Sequence, residues 1–274
     1  MYAAIDVGGT KTLLAVFTED GELKEQLKFP TPLEYNGFLS ELAINVAKLS
    51  THDFKAVGAA IPGMVDRKNG IGIAFGNLPW EHVHIQADFE RTFKAPVAVE
   101  NDANLAALSE ARLIDKKYKK ALYITVSTGI GMGYVIDRQL APQFADAEAG
   151  QILLEHDGRL QRWEEFASGK AIVAKFGKKA SEIPANDSDA WYIIARNIAI
   201  GLIDLIATLT PDAVIIGGGV GSHYDKFIDR LNEQLMIYDN PMITLPPILK
   251  AKRAEEAVIY GCFEHAKDNF GHRG

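Results

Sequence analysis

Tyr2-Ala3-Ala4-Ile5-Asp6-Val7-Gly8-Gly9-Thr10-Lys11-Thr12-Leu13-Leu14-Ala15-Val16-Phe17-Thr18 opens the chain as an apolar run, a glycine turn and a second apolar run. Runs of five to seven apolar and β-branched residues broken by Gly-Gly predict two strands joined by a tight turn. Asp20-Gly21 follows at once and is a strong hairpin signal, so Leu23 to Phe29 is expected to be a third strand. Phe38, Leu42, Val46 and Leu49 recur at helical spacing and predict an amphipathic helix over 37–49. Ala56 to Ala60 and Pro96 to Glu100 are further strand candidates. Asp102 to Arg112 reads as a helix, with Asp102 placed to cap its start.

The opening pattern then recurs. Ala121 to Val126 is an apolar run, Ser127-Thr128-Gly129 a polar glycine turn, and Met132 to Ile136 a second run. Two segments that each open strand, Gly/Thr turn, strand point to a duplicated α/β unit, against chance resemblance of two hairpins. Beyond 137 come a loop-rich stretch, a helix near 162–177 and a long apolar helix near 188–209. Asp212 to Ile216 reads as a buried strand running into Gly217-Gly218-Gly219, with a helix over 223–235 after it. A final helix over 254–268 is expected to pack back on the first half.

The chain has 274 residues, 47% hydrophobic and 24% charged, the balance of a globular protein with a substantial core. A formal charge of −7 disfavours nucleic acid and anionic membrane surfaces as partners. One cysteine, Cys262, excludes an intramolecular disulfide and a thiolate-rich metal site. No stretch was expected to reach the ~20 uninterrupted apolar residues of a membrane span. The first residues are a strand and not a basic leader with an apolar core, so the expected location is the cytoplasm.

Asp6-Val7-Gly8-Gly9-Thr10-Lys11-Thr12 puts a carboxylate and two glycines in one turn. Glycines let backbone N–H groups approach a phosphate, Thr10 and Thr12 offer hydroxyls, and Asp6 is suited to Mg²⁺. A plain hairpin turn accounts for the same residues. It is not the dinucleotide fingerprint, because the third glycine is missing and a strand follows. Ser127-Thr128-Gly129-Ile130-Gly131 and Gly217-Gly218-Gly219-Val220-Gly221 are two more glycine turns after strands. Together the three favour a bound nucleotide.

Glu100-Asn101-Asp102 lies where a strand meets a helix, so Asp102 is placed to take a proton from a hydroxyl and Asn101 to orient it. Asp102 as a helix cap alone is the competing reading. Asn77-Leu78-Pro79-Trp80 reads as a loop that either binds hydroxyls or anchors a surface turn, and Pro62-Gly63 is equally two-sided. Glu148 and Glu164 flank a helix, a position where glutamates are commonly just solvated.

In combination these segments resemble the ROK family of sugar kinases and repressors, over about Tyr2 to Cys262. The resemblance implies an actin-like, hexokinase-type ATPase fold: α/β, two duplicated ribonuclease H-like domains with a cleft between them. It implies a smaller domain of 1–115 plus about 253–274, and a larger one of 116–252. The family's first phosphate loop corresponds to Asp6, Gly8, Gly9, Thr10 and Lys11, its second to Thr128 and Gly129, and its adenosine loop to Gly218 and Gly219. Sugar-side positions correspond to Gly63, Asn77, Asn101, Glu148, Gln151 and Glu164, and the general base to Asp102. The implied reaction is ATP- and Mg²⁺-dependent phosphorylation of a hexose or N-acylated hexosamine hydroxyl, with Asp6 holding Mg²⁺ directly or through water. A homodimer through the larger domain is compatible with this, the apolar residues of 188–209 contributing. The family's repressors carry a DNA-binding segment ahead of the first phosphate loop, and here only five residues precede Asp6.

One departure stands out. The family continues Glu-x-Gly-His and then a cysteine-rich zinc segment. This chain reads Glu148-Ala149-Gly150-Gln151 and then Asp157-Gly158-Arg159-Leu160-Gln161-Arg162-Trp163-Glu164. The histidine and the thiolates are replaced together, so no structural zinc is expected, and Trp163 is the candidate to fill the space. Zinc-free members occur among the family's polyphosphate-using glucokinases. Two rival readings therefore accompany the kinase: a polyphosphate-using glucokinase, and a sugar or nucleotide sensor without turnover.

Overall fold

The computed structural model describes residues 1–253 and 255–271. The chain divides into two compact units, Met1–Ser109 with Glu256–Gly274, and Glu110–Glu255.

In the first unit, β1 (Tyr2–Val7), β2 (Lys11–Phe17) and β3 (Leu23–Pro30) form an antiparallel meander, followed by α1 (Tyr35–Val46) and β4 (Ala56–Ile61). Next come β5 (Gly63–Asp66), β6 (Ile71–Phe75), β7 (Leu78–Val83), α2 (Ile85–Phe93), β8 (Val97–Asn101) and α3 (Asp102–Ala111). The main sheet runs β3-β2-β1-β4-β8, with β4 parallel to β1 and to β8. Alternation along β1 and β4 splits the core. Ala3, Ile5, Val57 and Ala59 join Phe38, Leu42 and Phe89 on one face. Tyr2, Ala4 and Ala60 join Leu105 and the C-terminal helix on the other.

The second unit repeats the plan. It holds β9 (Lys120–Val126), β10 (Ile130–Ile136), β11 (Gln139–Leu140), β12 (Leu153–His156), β13 (Arg159–Arg162), α4 (Trp163–Ala167), α5 (Gly169–Phe176) and α6 (Ser188–Leu209). β14 (Ala213–Gly217), α7 (Gly218–Gly221), α8 (Ile228–Met236) and β15 (Ile248–Lys250) complete it. Its sheet runs β11-β10-β9-β14-β15, again an antiparallel meander continued by two parallel strands. Strand order and direction match position for position, so the two Gly/Thr turns are equivalent elements of one duplicated fold.

The last helix, α9 (Ala257–Phe270), returns to the first unit and packs on β1 and β4. Two glycines set its approach. A Cβ on Gly58 would stand 1.8 Å from the Cys262 carbonyl oxygen, and one on Gly261 2.0 Å from that of Leu105. The helix was expected to begin at 254, a residue outside those described; its described part begins at Ala257.

Several local expectations change. The first helix starts two residues earlier and stops at Val46. The 162–177 helix is two helices, because Ser168 leaves helical geometry and caps α5 by accepting from Ala171 N–H. Gly218–Gly221 is already a helical turn, and the helix expected at 223–235 begins only at Ile228. Leu78-Pro79-Trp80 belongs to β7 and not to a loop: the Trp80 ring is buried among Phe38, Phe75 and Tyr35, and its N–H donates to the Leu33 carbonyl at 2.7 Å. Ser188–Leu209, contrary to expectation, is long and apolar enough by length and composition to cross a membrane. Trp191, Ile194, Ile198, Leu202 and Ile206 on that helix are core residues of the second unit, which accounts for its apolarity.

Candidate active site

The first unit gathers Asp6, Gly8, Gly9, Gly63, Asn77, Asn101 and Asp102 around the ends of β1, β4 and β8. The turn at Gly8 is closed by its own N–H donating to the Lys11 carbonyl at 3.0 Å. A Cβ on Gly8 would collide with that oxygen at 2.6 Å. A Cβ on Gly9 would lie 2.7 Å from the Asn77 Cβ, so the glycine brings the turn directly against Asn77. Thr10 and Lys11 are exposed beside it. Thr12, expected to offer its hydroxyl, does not: it is fully buried and bonded to the Thr31 hydroxyl at 2.8 Å.

Asp6 and Asp102 are each partly exposed and electrostatically coupled. Burial pushes the Asp6 carboxyl up to about 7; the Asp102 charge adds to this and Lys28 opposes it. Burial likewise pushes Asp102 up to about 6, against the stabilising N–H of Ala103, which donates to its Oδ1 at 2.7 Å. Either carboxylate is a usable proton acceptor near neutral pH.

What orients Asp102 lies just before it. Asn101 is the true cap of α3, its Oδ1 accepting from Ala103 N–H at 2.8 Å and Asn104 N–H at 3.3 Å. Its Nδ2 donates to the Gly63 carbonyl at 3.1 Å, tying the two expected sugar-side positions together. Glu100 is almost fully buried and receives Arg67 in a fork, Nε at 2.6 Å and Nη2 at 2.5 Å. Asn104 Nδ2 and the Asn101 N–H also donate to Glu100, at 3.0 and 2.7 Å. Arg67 was missed in the sequence, being an ordinary surface-type residue 33 positions from its partner.

In the second unit the turn after β9 is closed by Ser127 N–H donating to the Gly129 carbonyl at 2.9 Å. The start of α5 packs on it, Gly169 N–H donating to the Ser127 carbonyl at 2.6 Å. Gly217 and Gly218 let β14 end against β9: Cβ atoms there would meet the Tyr123 hydroxyl at 2.2 Å and the Thr125 hydroxyl at 2.5 Å. Gly218 also has a φ of +82°, where a side chain is strained. Gly219 beside it is exposed with open space at its Cα.

One known family covers this whole arrangement: the family described as ROK matches residues 2–269. The chain belongs to the ROK family. Among curated relatives it is 28% identical to a glucokinase of Streptomyces coelicolor, over 84% of this chain and 85% of that protein. It is 28% identical to an N-acetyl-D-glucosamine kinase of Citrobacter koseri, over 98% and 100%. Among solved structures, a ROK family glucokinase from Streptomyces griseus in complex with glucose and AMPPNP superimposes with a TM-score of 0.83 at 26% identity, covering 97% of this chain and 99% of that one. The fold is therefore that of the ROK kinases, with their two actin-like units.

The segment that the resemblance matches to the family's zinc segment carries no cysteine here. Gln151 is exposed after a short turn at Ala149, and its Nε2 donates to Glu164 Oε1 at 2.8 Å. Glu164 Oε2 accepts from Ile130 N–H at 3.4 Å and occupies space left by Gly129 and Gly150, where Cβ atoms would stand 2.7 and 3.0 Å away. Glu148 is exposed one residue before that turn. Among the described residues no group of three or more His, Cys, Asp and Glu is placed to hold a metal ion, and Cys262 is buried in the first unit. The donor set does not fit zinc.

Proposed function

We propose that this chain is an ATP-dependent sugar kinase that phosphorylates a hydroxyl of a hexose or N-acylated hexosamine. The observation that carries the reading is the convergence in one unit of the Gly8-Gly9 turn, Asn77 and Asp102, with burial raising Asp102 to about 6. Such a base is ionised at neutral pH yet basic enough to accept a hydroxyl proton in the transition state. The names of the relatives support the same chemistry: glucose and N-acetylglucosamine are their acceptors, and AMPPNP, an ATP analogue, occupies the Streptomyces griseus enzyme.

In this reading Asp102 accepts the proton, while Asn77, Gly63, Asn101, Glu148, Gln151 and Glu164 form the sugar side. Asn101 acts mainly by capping α3 and fixing the Gly63 carbonyl, since both ends of its side chain are engaged. The N–H groups of Gly9, Thr10, Thr128 and Gly129 donate to phosphate oxygens, Lys11 lies beside the first turn, and Gly218-Gly219 leaves room for the adenosine. Asp6 fits Mg²⁺: a carboxylate raised to about 7 by burial and a neighbouring anion gains strongly from a hard cation. When bound, Mg²⁺ would neutralise phosphate charge and so favour transfer. A metabolic enzyme of this kind belongs in the cytoplasm; the outward side of α6 is mostly polar, with Asp189, Arg196, Asp204 and Thr208 exposed beside Tyr192, so the helix's apolar residues serve the core and not a homodimer interface.

The test is ADP release with Mg·ATP against glucose, mannose, fructose, allose, N-acetylglucosamine and N-acetylmannosamine, with sugar phosphate formation followed when polyphosphate is the donor. Turnover on one sugar, abolished by Asp102→Asn with ATP affinity retained, supports the reading. Sugar binding without turnover would replace it with the sensor, and use of polyphosphate in preference to ATP would change the donor.

A further inference from the structure

Asn197 is a polar residue buried in the middle of the apolar helix α6, and its side-chain amide and backbone carbonyl converge on the segment that carries Glu164. Its Nδ2 donates to the Phe166 carbonyl at 2.7 Å, and its Oδ1 faces His156 Nε2 at 3.2 Å. The first bond fixes Oδ1 as the acceptor, so His156 Nε2 is the donor of the second. The Asn197 carbonyl accepts from the indole N–H of Trp163 at 3.0 Å. The rings lock the same place. His156 stacks on Phe166 at 4.1 Å and 9°, and Trp163 is fully buried against Gly201, where a Cβ would stand 2.3 Å from the indole.

These contacts hold the β12–β13 hairpin at both ends, at His156 beside its turn and at Trp163 just after its base. Gln151 precedes it, Trp163 and Glu164 follow it, and Trp163 N–H donates to the Ile152 carbonyl at 2.8 Å. Trp163 is thereby held through its backbone N–H and through its indole N–H, which sets the Cα of Glu164 next door. Gln151 then holds the carboxylate. Nothing in the arrangement calls for a metal. An amide suits the hub because it must donate to one buried group and accept from another; Asp cannot do the first and Leu does neither.

We propose that Asn197, with His156 and Trp163, forms a metal-free clasp that positions Glu164 toward the sugar, in the segment where ROK relatives carry zinc. Asn197 is a positioning residue, acting through Trp163, and the inference rests on the reading that Glu164 faces the sugar.

The experiment measures KM for the sugar and for ATP separately in the wild type, Asn197→Leu, His156→Phe and the exposed Gln151→Leu. Thermal melts are run with and without 1,10-phenanthroline, and metal content is determined on the purified wild type. The sugar KM is expected to rise roughly tenfold in Asn197→Leu and Gln151→Leu and less in His156→Phe, the range seen when supporting partners of a site residue are removed. The ATP KM should stay near the wild-type value, and the chelator should not move the melting temperature. Two results overturn the proposal: an unchanged sugar KM in folded Asn197→Leu and Gln151→Leu, or one zinc per chain with a chelator-sensitive melt. If Asn197→Leu does not fold, Gln151→Leu and His156→Phe carry the kinetic arm. Wild-type silence on every sugar overturns the kinase reading instead. The clasp is then upheld by a chelator-insensitive wild-type melt that Asn197→Leu lowers, and overturned by a melt that Asn197→Leu leaves unchanged.

Discussion

Replacing Asp102 by Asn should cost the protein its activity and make it more stable above about pH 4, with the full gain reached above about pH 6. Burial raises the Asp102 carboxyl from 3.8 to about 6, a shift of about 2 units. At about 1.4 kcal/mol per unit this bounds the effect near 3 kcal/mol. Because the side chain is partly exposed, roughly half of that, about 1–2 kcal/mol, is the expected size. The sign follows from proton uptake. A folded-state value above the unfolded one means that the native state binds the proton more tightly, so this contribution is fully present below about pH 4. It fades as pH rises and is gone above about 6. Asparagine never ionises and keeps the Ala103 contact. At pH 8 the ligand-free variant should therefore melt about 2–8 °C above the wild type, using about 2–4 °C per kcal/mol for a chain of this size. At pH 4 the two should coincide. Melting curves from pH 4 to 8.5 measure the difference, while ADP release should fall by about 10²–10⁴. A difference that does not vary with pH, or a variant that is less stable at pH 8, would refute the argument that burial strains this carboxylate.

Sugar phosphorylation by the wild type should lose its rate below an apparent pKa between 6 and 7, since Asp102 and Asp6 must both be ionised; an acid limb near 4 in the pH profile of kcat/KM would contradict the raised values. Arg67→Met leaves Glu100 buried without its cation and should destabilise by about 2–4 kcal/mol, at the lower part of the usual range because Arg67 is partly exposed. Adding Glu100→Gln should recover much of that loss in denaturant melts, and no recovery would argue that the Arg67 stem, not its charge, matters. Gly58→Ala drives a methyl into the Cys262 carbonyl and should cost about 3 kcal/mol or more, read as a lowered melting temperature or loss of soluble protein; a near wild-type melt would mean that α9 does not approach so closely.

The parts of this molecule that were legible in the sequence are those made by neighbours in the chain. The Gly8-Gly9 turn, the Asp20-Gly21 hairpin and the repeated strand-turn-strand pattern announce themselves because a turn's requirement for glycine is local. The duplication itself is settled only by strand order, which depends on parallel pairings such as β1 with β4 and β9 with β14. Asn77-Leu78-Pro79-Trp80 looked like a loop because proline marks turns, but Pro79 sits exposed in a strand at the edge of a small sheet, where its missing N–H costs nothing. Asp102 took the eye as the cap, while Asn101 does most of that work. Thr12 and Arg67 were unreadable, since one points into the core and the other finds its partner across the fold. Asn197 and Gly201 did leave a signal. A lone amide and a glycine within the apolar run of 188–209 mark a helix that holds something polar and something wide, here the hairpin segment and an indole.

The return of α9 to the first unit has a consequence for how the chain is made. A ribosome delivers residues in order, and domains tend to fold as units as they emerge. The second unit is complete in sequence by Glu255, but the unit carrying Asp6 and Asp102 is not. Until Ile259, Cys262 and Phe263 arrive, the sheet face of Tyr2, Ala4 and Ala60 has lost much of its cover. The half of the protein that is translated first is thus the last to be finished. Premature termination near residue 255 would leave a folded second unit attached to an unfinished first one, with a bare apolar face for chaperones and proteases to recognise. Synthesis of a complete chain and assembly of the unit bearing the proposed base are coupled by one helix.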